Sequence, residues 1–228
     1  VMSGGTRLSA SCVLVASGVS YRHLDAPGFA DVTGAGVYYG AALTEARACA
    51  DQHVVVIGGA NSAGQAAVYF AGWARRVTML VRAESLAASM SHYLIAQLAA
   101  LPNVVVRTGA LAVAAEGEDG RLRALRIRDA EGESREEVDA CFVFIGAAPR
   151  TDWLKGVVAR DERGFILAGL EVREHGWPLK RDPFVLETSV PGVFVAGDVR
   201  ARSVKRVASA VGEGSMSVSL IHEYLAGA

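Results

Sequence analysis

Residues 54–67 read Val-Val-Val-Ile-Gly-Gly-Ala-Asn-Ser-Ala-Gly-Gln-Ala-Ala, a β-branched apolar run that enters a glycine-rich turn and leaves as an alanine-rich segment suited to a helix. Such a turn brings the unpaired N–H groups and positive dipole end of a helix to one point, where a pyrophosphate can be held. The chemistry on offer is nucleotide binding, with Gly58, Gly59, Ala60, Asn61, Ser62 and Ala63 as candidate contacts. In a GxGxxA register Gly58 is the first glycine, and Ala60 stands where a second normally lets the pyrophosphate approach. Ala63 takes the helix-packing position. Further on, Arg82 follows the run Val77-Thr-Met-Leu-Val81. A site for NAD would place an acidic residue there, on the ribose 2′-hydroxyl. A guanidinium suits a 2′-phosphate, so NADPH is expected ahead of NADH. Ser85, Ser89 and His92 are near enough in sequence to assist.

A second constellation lies at Pro191-Gly-Val-Phe-Val-Ala-Gly-Asp198. Gly197 and Asp198 end a short apolar strand, where a carboxylate can accept hydrogen bonds from sugar-like hydroxyls; a helix N-cap or turn aspartate would have the same pattern. His23, His53, His92, His175 and His222 show no metal-ligand spacing and read as surface or hydrogen-bonded residues. There is no GxSxG elbow. Cys12, Cys49 and Cys141 form no CxxC pair and are expected to be buried, reduced thiols of a cytoplasmic protein. With 23 basic and 24 acidic residues the chain has a net charge of −1, and no basic stripe points to nucleic acid. No apolar run approaches the roughly 18 residues of a membrane span. Val1-Met-Ser-Gly-Gly has none of the regions of a signal peptide.

These residues need a scaffold, and the hydrophobic pattern describes one. The chain has 228 residues, 51% of them hydrophobic, enough for one large domain or two small ones. Residues 11–16 read as a buried strand ended by Ser17-Gly18, residues 25–36 as a loop around Pro27, and residues 41–50 as a short helix. Strand 54–57, helix 63–73, strand 77–81, helix 90–101 and strand 104–106 then make a β-α-β-α-β half of a doubly wound fold. Strands over 111–116, 122–129 and 136–145 follow, with Gly117-Glu-Asp-Gly120 and Glu131-Gly-Glu133 as hairpin turns, so a β-meander is expected. Phe142-Val-Phe-Ile145 ends in Gly146 much as the first strand ends in Gly18. The nucleotide unit is therefore expected as an insert in a second domain, with crossovers near 38–46 and 146–152. Residues 208–225 read as an amphipathic helix.

Taken together, these segments resemble the flavoprotein reductases of the thioredoxin reductase type, a branch of the FAD- and NAD(P)-binding pyridine nucleotide-disulfide oxidoreductases, over nearly the whole chain. Val56-Ile-Gly-Gly-Ala-Asn-Ser-Ala63 is similar to that family's NADPH fingerprint, and Phe144-Ile-Gly-Ala-Ala-Pro-Arg-Thr151 to its strand-end motif after the meander. Pro191–Asp198 resembles its second FAD motif, and Arg206-Val207-Ala208 its Arg-Gln-Ala beside the flavin ring. The resemblance implies an α/β fold in which a Rossmann-like three-layer NAD(P)-binding domain with a β-meander is inserted in a partial FAD-binding Rossmann-like domain. The implied divisions are 1–40 and 148–228 for the FAD-binding part and 41–147 for the NAD(P)H-binding part. Further cofactor contacts are implied at Gly18, Gly146, Gly197, Asp198, Arg206, Val207 and Ala208, with Asp198 at the ribitol or adjoining phosphate region of FAD. Hydride would pass from NADPH to FAD, in a homodimer.

Three departures from the family pattern shape the expectation. No strand–GxGxxG–helix unit precedes Ser11, so the chain is expected to enter midway through the FAD domain, with FAD belonging to the full-length protein and this fragment inactive alone. Gly40 and Leu43 stand where the family's CxxC thiols would fall, so dithiol exchange is not expected and the electron acceptor is left open. Ala60 and the single Arg82 depart from the usual nucleotide contacts. Tyr38 and Tyr39, just before the CxxC position, either shield the flavin ring or pack at the domain junction, and Trp177 in His175-Gly-Trp-Pro178 reads as a packing residue. A ferredoxin- or flavodoxin-directed NADP reductase and a nucleotide-binding regulatory module without turnover are the alternative readings.

Overall fold

The structure, a computed structural model, describes residues 5, 8–40 and 46–227. In chain order its elements are β1 (Val13–Val15), β2 (Val19–Tyr21), β3 (Val37–Tyr39), β4 (His53–Ile57), α1 (Asn61–Ala71), β5 (Arg76–Val81), α2 (His92–Ala99), β6 (Val104–Thr108), β7 (Leu111–Glu118), β8 (Arg121–Asp129), β9 (Gly132–Glu137), β10 (Ala140–Val143), β11 (Ala147–Pro149), β12 (Val193–Val195) and α3 (Val207–Ala226). Two compact units form: Tyr21–Gly146, and Val1–Ser20 with Ala147–Ala228. The sequence places the first division at 40/41, but β3 lies in the Tyr21–Gly146 unit, where it pairs with β10. Residues 41–45 of the helix expected over 41–50 lie outside the described residues; Ala46–Cys49 form one 3-10 turn.

The Tyr21–Gly146 unit is built on a five-stranded sheet of order β3-β10-β4-β5-β6, parallel throughout. Parallel strands covered on both faces read as continuous apolar runs rather than alternating ones. β4 accordingly is buried at every position. Val54 and Val56 join the core cluster with Ala63, Ala67 and Phe70 of α1 and Leu94 and Leu98 of α2. Val55 and Ile57 join the opposite cluster with Ala112, Ala115, Leu125 and Ile127 of the meander β7-β8-β9. Sheet, helix layer and meander make three layers. The β7–β8 turn is Asp119-Gly120, both at positive φ (53° and 73°), the left-handed conformation that a two-residue hairpin of matching twist requires.

Several sequence expectations change in this unit. The strand read over 136–145 is two strands in different sheets: β9 ends the meander at Glu137, and β10 starts in the parallel sheet at Ala140. Val138 is buried between them, so apolar content alone could not mark the break. The loop 25–36 is part of the core, with Phe29 fully buried and Val32 nearly so against the meander. Tyr38 stacks on Phe142 at 5.1 Å between ring centroids, and the Tyr39 hydroxyl accepts the Leu24 N–H at 3.2 Å; both rings pack within the unit. At the amino ends of the parallel strands His53 is buried. Its Nδ1 donates to the Glu137 carbonyl at 2.9 Å, and its Nε2 lies 2.9 Å from Thr78 Oγ1 and 3.5 Å from Glu136 Oε1. A carbonyl only accepts, so the neutral ring carries its proton on Nδ1. Glu136 also pairs with Arg76 and Arg107. Finally, the two ends of the unit meet, the Arg22 N–H donating to the Gly146 carbonyl at 3.0 Å.

In the other unit β1 pairs in parallel with β12, and β2 with β11. The buried strand expected over 11–16 is shorter and half-exposed: Val13–Val15 is extended, but only Val15 is buried, in a cluster with Ile166, Val195 and Val199. Cys12 is likewise only partly buried, whereas Cys49 and Cys141 are buried. The most enclosed charge is Glu187, fully buried, which accepts from Arg181 at 2.7 and 2.8 Å and from the Phe184 and Gly192 N–H groups, both at 3.0 Å. Arg181 in turn lies over the rings of Trp177, Phe184 and Tyr224. Trp177 is therefore a packing residue of this clasp, its Nε1 donating to the Arg181 carbonyl at 2.7 Å. α3 runs as a helix over the expected stretch, though Ser217 is its one buried residue among those described. No helix among the described residues is long and apolar enough to cross a membrane.

Candidate functional site

The glycine turn sits at the carboxyl end of β4. Gly58 adopts φ +146°, and a Cβ there would lie 2.6 Å from the Phe144 carbonyl oxygen and 3.0 Å from the Ala63 Cβ. Position 58 therefore admits only glycine, and Ala63 is the helix residue packed against it. Ala60 caps α1 in extended conformation (φ −99°, ψ 175°) with no side-chain hydrogen bond, so the opening amides of the helix keep no side-chain acceptor. Ala60, Asn61 and Ser62 are exposed, and their backbone lies at the open start of α1. Ala60 needs no left-handed conformation; what its methyl changes is the space in front of the turn.

Arg82 follows the last residue of β5 and is exposed. The segment after it is held to the glycine turn. Ser89 Oγ donates to the Gly59 carbonyl at 2.9 Å, and Asn61 Oδ1 accepts the Ser91 N–H at 2.8 Å and the Ser91 hydroxyl at 3.2 Å. Residues 58–63 and the 82–91 segment thus form one cluster. Ser89 faces the turn itself, Ser85 bonds locally to the Ala87 N–H at 3.1 Å, and His92 is exposed at the start of α2.

The second cluster stands at the carboxyl ends of β1 and β12. These strands are paired in register, with the Ala196 N–H donating to the Val15 carbonyl at 3.1 Å, so Gly18 and Gly197 follow neighbouring strands. Gly197 and Asp198 open a 3-10 turn. Arg206 caps α3 without a side-chain hydrogen bond, and Val207 and Ala208 are exposed in its first turn. Glu213, inside α3, ties these parts together: its Oε2 accepts the Gly197 N–H at 2.7 Å and its Oε1 pairs with Arg200. Burial alone would raise the Glu213 carboxyl, but the Arg200 guanidinium and the Gly197 N–H together hold it below the usual carboxylate value. Lys205 reaches the Asp198 carbonyl at 3.2 Å and lies 4.2 Å over the Phe165 ring. Gly146 belongs to the other unit, past the end of β10, and its carbonyl accepts the Arg22 N–H. Glu213 and Arg200 were missed by sequence reasoning; the one available signal was an acidic residue flanked by Gly212 and Gly214 inside a small-residue helix. No metal-binding cluster of acidic, histidine or cysteine side chains occurs among the described residues.

A parallel α/β sheet with a glycine turn at its carboxyl edge and an antiparallel meander on one face defines a Rossmann-like protein. Residues 1–214 match the pyridine nucleotide-disulphide oxidoreductase family, and the chain belongs to that family. It is 34% identical over 226 residues to alkyl hydroperoxide reductase F of Pseudomonas putida, an alignment that covers 98% of this chain and 40% of the relative. To the thioredoxin reductase of Treponema pallidum (strain Nichols) it is 30% identical over 227 residues, covering 99% of this chain and 68% of the relative. Among solved structures, thioredoxin reductase from Giardia duodenalis superposes with a TM-score of 0.75 at 24% identity, over 94% of this chain and 66% of that one. The T. acidophilum thioredoxin reductase superposes with a TM-score of 0.70 at 25% identity, over 93% and 65%. The chain thus spans about 40% of the length of the alkyl hydroperoxide reductase relative.

Proposed function

We propose that this chain is the nucleotide-handling part of an NAD(P)H-dependent flavoprotein oxidoreductase, with NADPH as hydride donor and FAD as acceptor. The observation that carries the reading is the uncapped start of α1 behind Gly58, a cradle that an added Cβ would fill. It fits a pyrophosphate, whose charge the opening amides of the helix offset. The exposed guanidinium of Arg82, one strand further on, suits a 2′-phosphate and argues for NADPH. For FAD the fit is partial. Asp198 and the open start of α3 at Arg206, Val207 and Ala208 offer a hydroxyl acceptor and free amides, while the turn that would hold the FAD pyrophosphate is not among these residues. When bound, the flavin supplies a two-electron acceptor that can pass electrons on.

The chain's own part is positioning. Gly58 and Ala63 let α1 approach the turn, Arg82 fixes the adenosine end of the nucleotide, and Glu213 holds the Gly197-Asp198 turn against α3. With Cys12, Cys49 and Cys141 apart in sequence and no CxxC, electrons leave by a route other than a dithiol in this chain. The alkyl hydroperoxide reductase relatives favour a peroxide-reducing system as their destination. The test is anaerobic titration of the full-length protein, which should be yellow and bleach on addition of NADPH. Colourless protein, or yellow protein that NADPH does not bleach, overturns the reading. Tight nucleotide binding without flavin reduction would instead favour a regulatory module, and saturable reduction of an iron–sulfur protein a ferredoxin-directed reductase.

A further inference from the structure

The glycine turn and the segment that follows Arg82 are joined by hydrogen bonds that engage the side chains of Asn61 and Ser89. Asn61 is the first residue of α1, where a carboxamide would ordinarily be free or would serve the helix start. Instead its Oδ1 takes both the Ser91 N–H (2.8 Å) and the Ser91 hydroxyl (3.2 Å). A backbone N–H only donates, so the amide orientation is fixed with Oδ1 toward Ser91. Two residues earlier Ser89 donates to the Gly59 carbonyl (2.9 Å). Ala60 and Met90 sit between the two pairs, and Met90 is buried in the α1–α2 core. At its other end the segment is anchored where the Gly109 N–H donates to the Ala83 carbonyl at 3.1 Å.

We infer that Asn61 and Ser89 are positioning residues that latch the 82–91 segment to the glycine turn, so that Arg82 is held at a set distance from the pyrophosphate and the protein discriminates NADPH from NADH. This rests on the nucleotide reading above. The two cofactors share their pyrophosphate and differ at the 2′ position. Loosening the segment therefore weakens the contact that only NADPH makes more than the pyrophosphate contacts that both cofactors share.

The experiment is calorimetric titration of the full chain with NADPH and with NADH, for wild type, Arg82→Ala, Asn61→Ala, Asn61→Asp and Ser89→Ala. Asn61→Ala and Ser89→Ala should each cut the NADPH-over-NADH preference about threefold to tenfold, as the loss of one or two net hydrogen bonds predicts. Asn61→Asp keeps both acceptor contacts while placing a negative charge at the phosphate site. It should weaken both nucleotides together and keep their ratio. Hydrogen exchange of the nucleotide-free protein should accelerate at residues 83–90 in Asn61→Ala and stay unchanged in β4 and β5. If Arg82→Ala abolishes the preference while Asn61→Ala and Ser89→Ala retain it, the latch is overturned and the nucleotide reading stands. If wild type binds neither nucleotide, or shows no preference that Arg82→Ala alters, the reading falls and the latch with it.

Discussion

Replacing Ala60 by glycine tests directly what would limit the proposed nucleotide site. Ala60 is exposed, extended at φ −99° and ψ 175°, and caps α1 without a side-chain hydrogen bond, so a glycine inherits the backbone unchanged. Glycine outranks alanine at a helix N-cap, while the freer unfolded chain costs about 0.4–1 kcal/mol. The two nearly cancel, and Tm should move by no more than about 2 °C. For the ligand the balance differs. Removing the methyl lets a pyrophosphate oxygen come within reach of the open amides at the start of α1. One added charge-assisted hydrogen bond is worth about 1.5–3 kcal/mol, or about tenfold to a hundredfold in Kd. Calorimetric titration of the full chain should show NADPH and NADH tightening by the same factor, because both carry the pyrophosphate. Unchanged or weaker binding of both at unchanged Tm would refute the argument that this methyl governs approach. Tightening of NADPH alone would refute it too.

Gly58→Ala combines a left-handed backbone, about 1–2 kcal/mol for an L-residue, with a Cβ 2.6 Å from the Phe144 carbonyl. It should lower Tm by several degrees in a thermal melt followed by circular dichroism. His53 is held below its ordinary value, chiefly by burial, against the opposing pull of the Glu137 carbonyl and the Glu136 and Asp139 carboxylates and alongside Arg76. Its folded value is below its unfolded one, so stability should fall as pH drops from about 6.5 toward the folded value. Urea midpoints between pH 7 and 5 should show this fall in wild type and a flatter profile in His53→Gln. Burial would raise Glu187, but Arg181 and the Gly192 and Phe184 amides hold it lower, so its contribution is full above about pH 4.3 and is lost as pH falls through the folded value. Arg181→Ala strands that buried carboxylate and should destabilise by about 3–5 kcal/mol in urea melts at pH 7. Burial also pushes the Cys141 thiol strongly upward, so iodoacetamide should label partly exposed Cys12 first and reach Cys141 only in denaturant.

What could be read in the sequence was local. Val54–Ile57 followed by Gly58 announces a covered parallel strand and its turn, because an unbroken β-branched run and a glycine have few other uses. Gly197-Asp198 at a strand end was legible for the same reason. What escaped depends on contacts distant in sequence. Nothing near Val13 and Leu14 says that they are exposed, since their burial depends on what covers β1. Phe29 and Val32 lie in a stretch with the composition of a loop, and only the meander beside them makes them core. The Asn61–Ser91 and Glu213–Gly197 bonds join residues 30 and 16 positions apart through exposed or half-buried polar side chains, which carry no periodicity to betray them.

The hydrogen bond from Arg22 to Gly146 has a consequence for ancestry. A unit whose first and last residues touch enters and leaves its host chain through a single doorway. It can be spliced into a loop of another protein, or exchanged for a different version of itself, without stretching either partner. The Tyr21–Gly146 unit has the geometry of a transferable cassette. Its sequence and that of the surrounding chain are thereby free to diverge on separate evolutionary clocks.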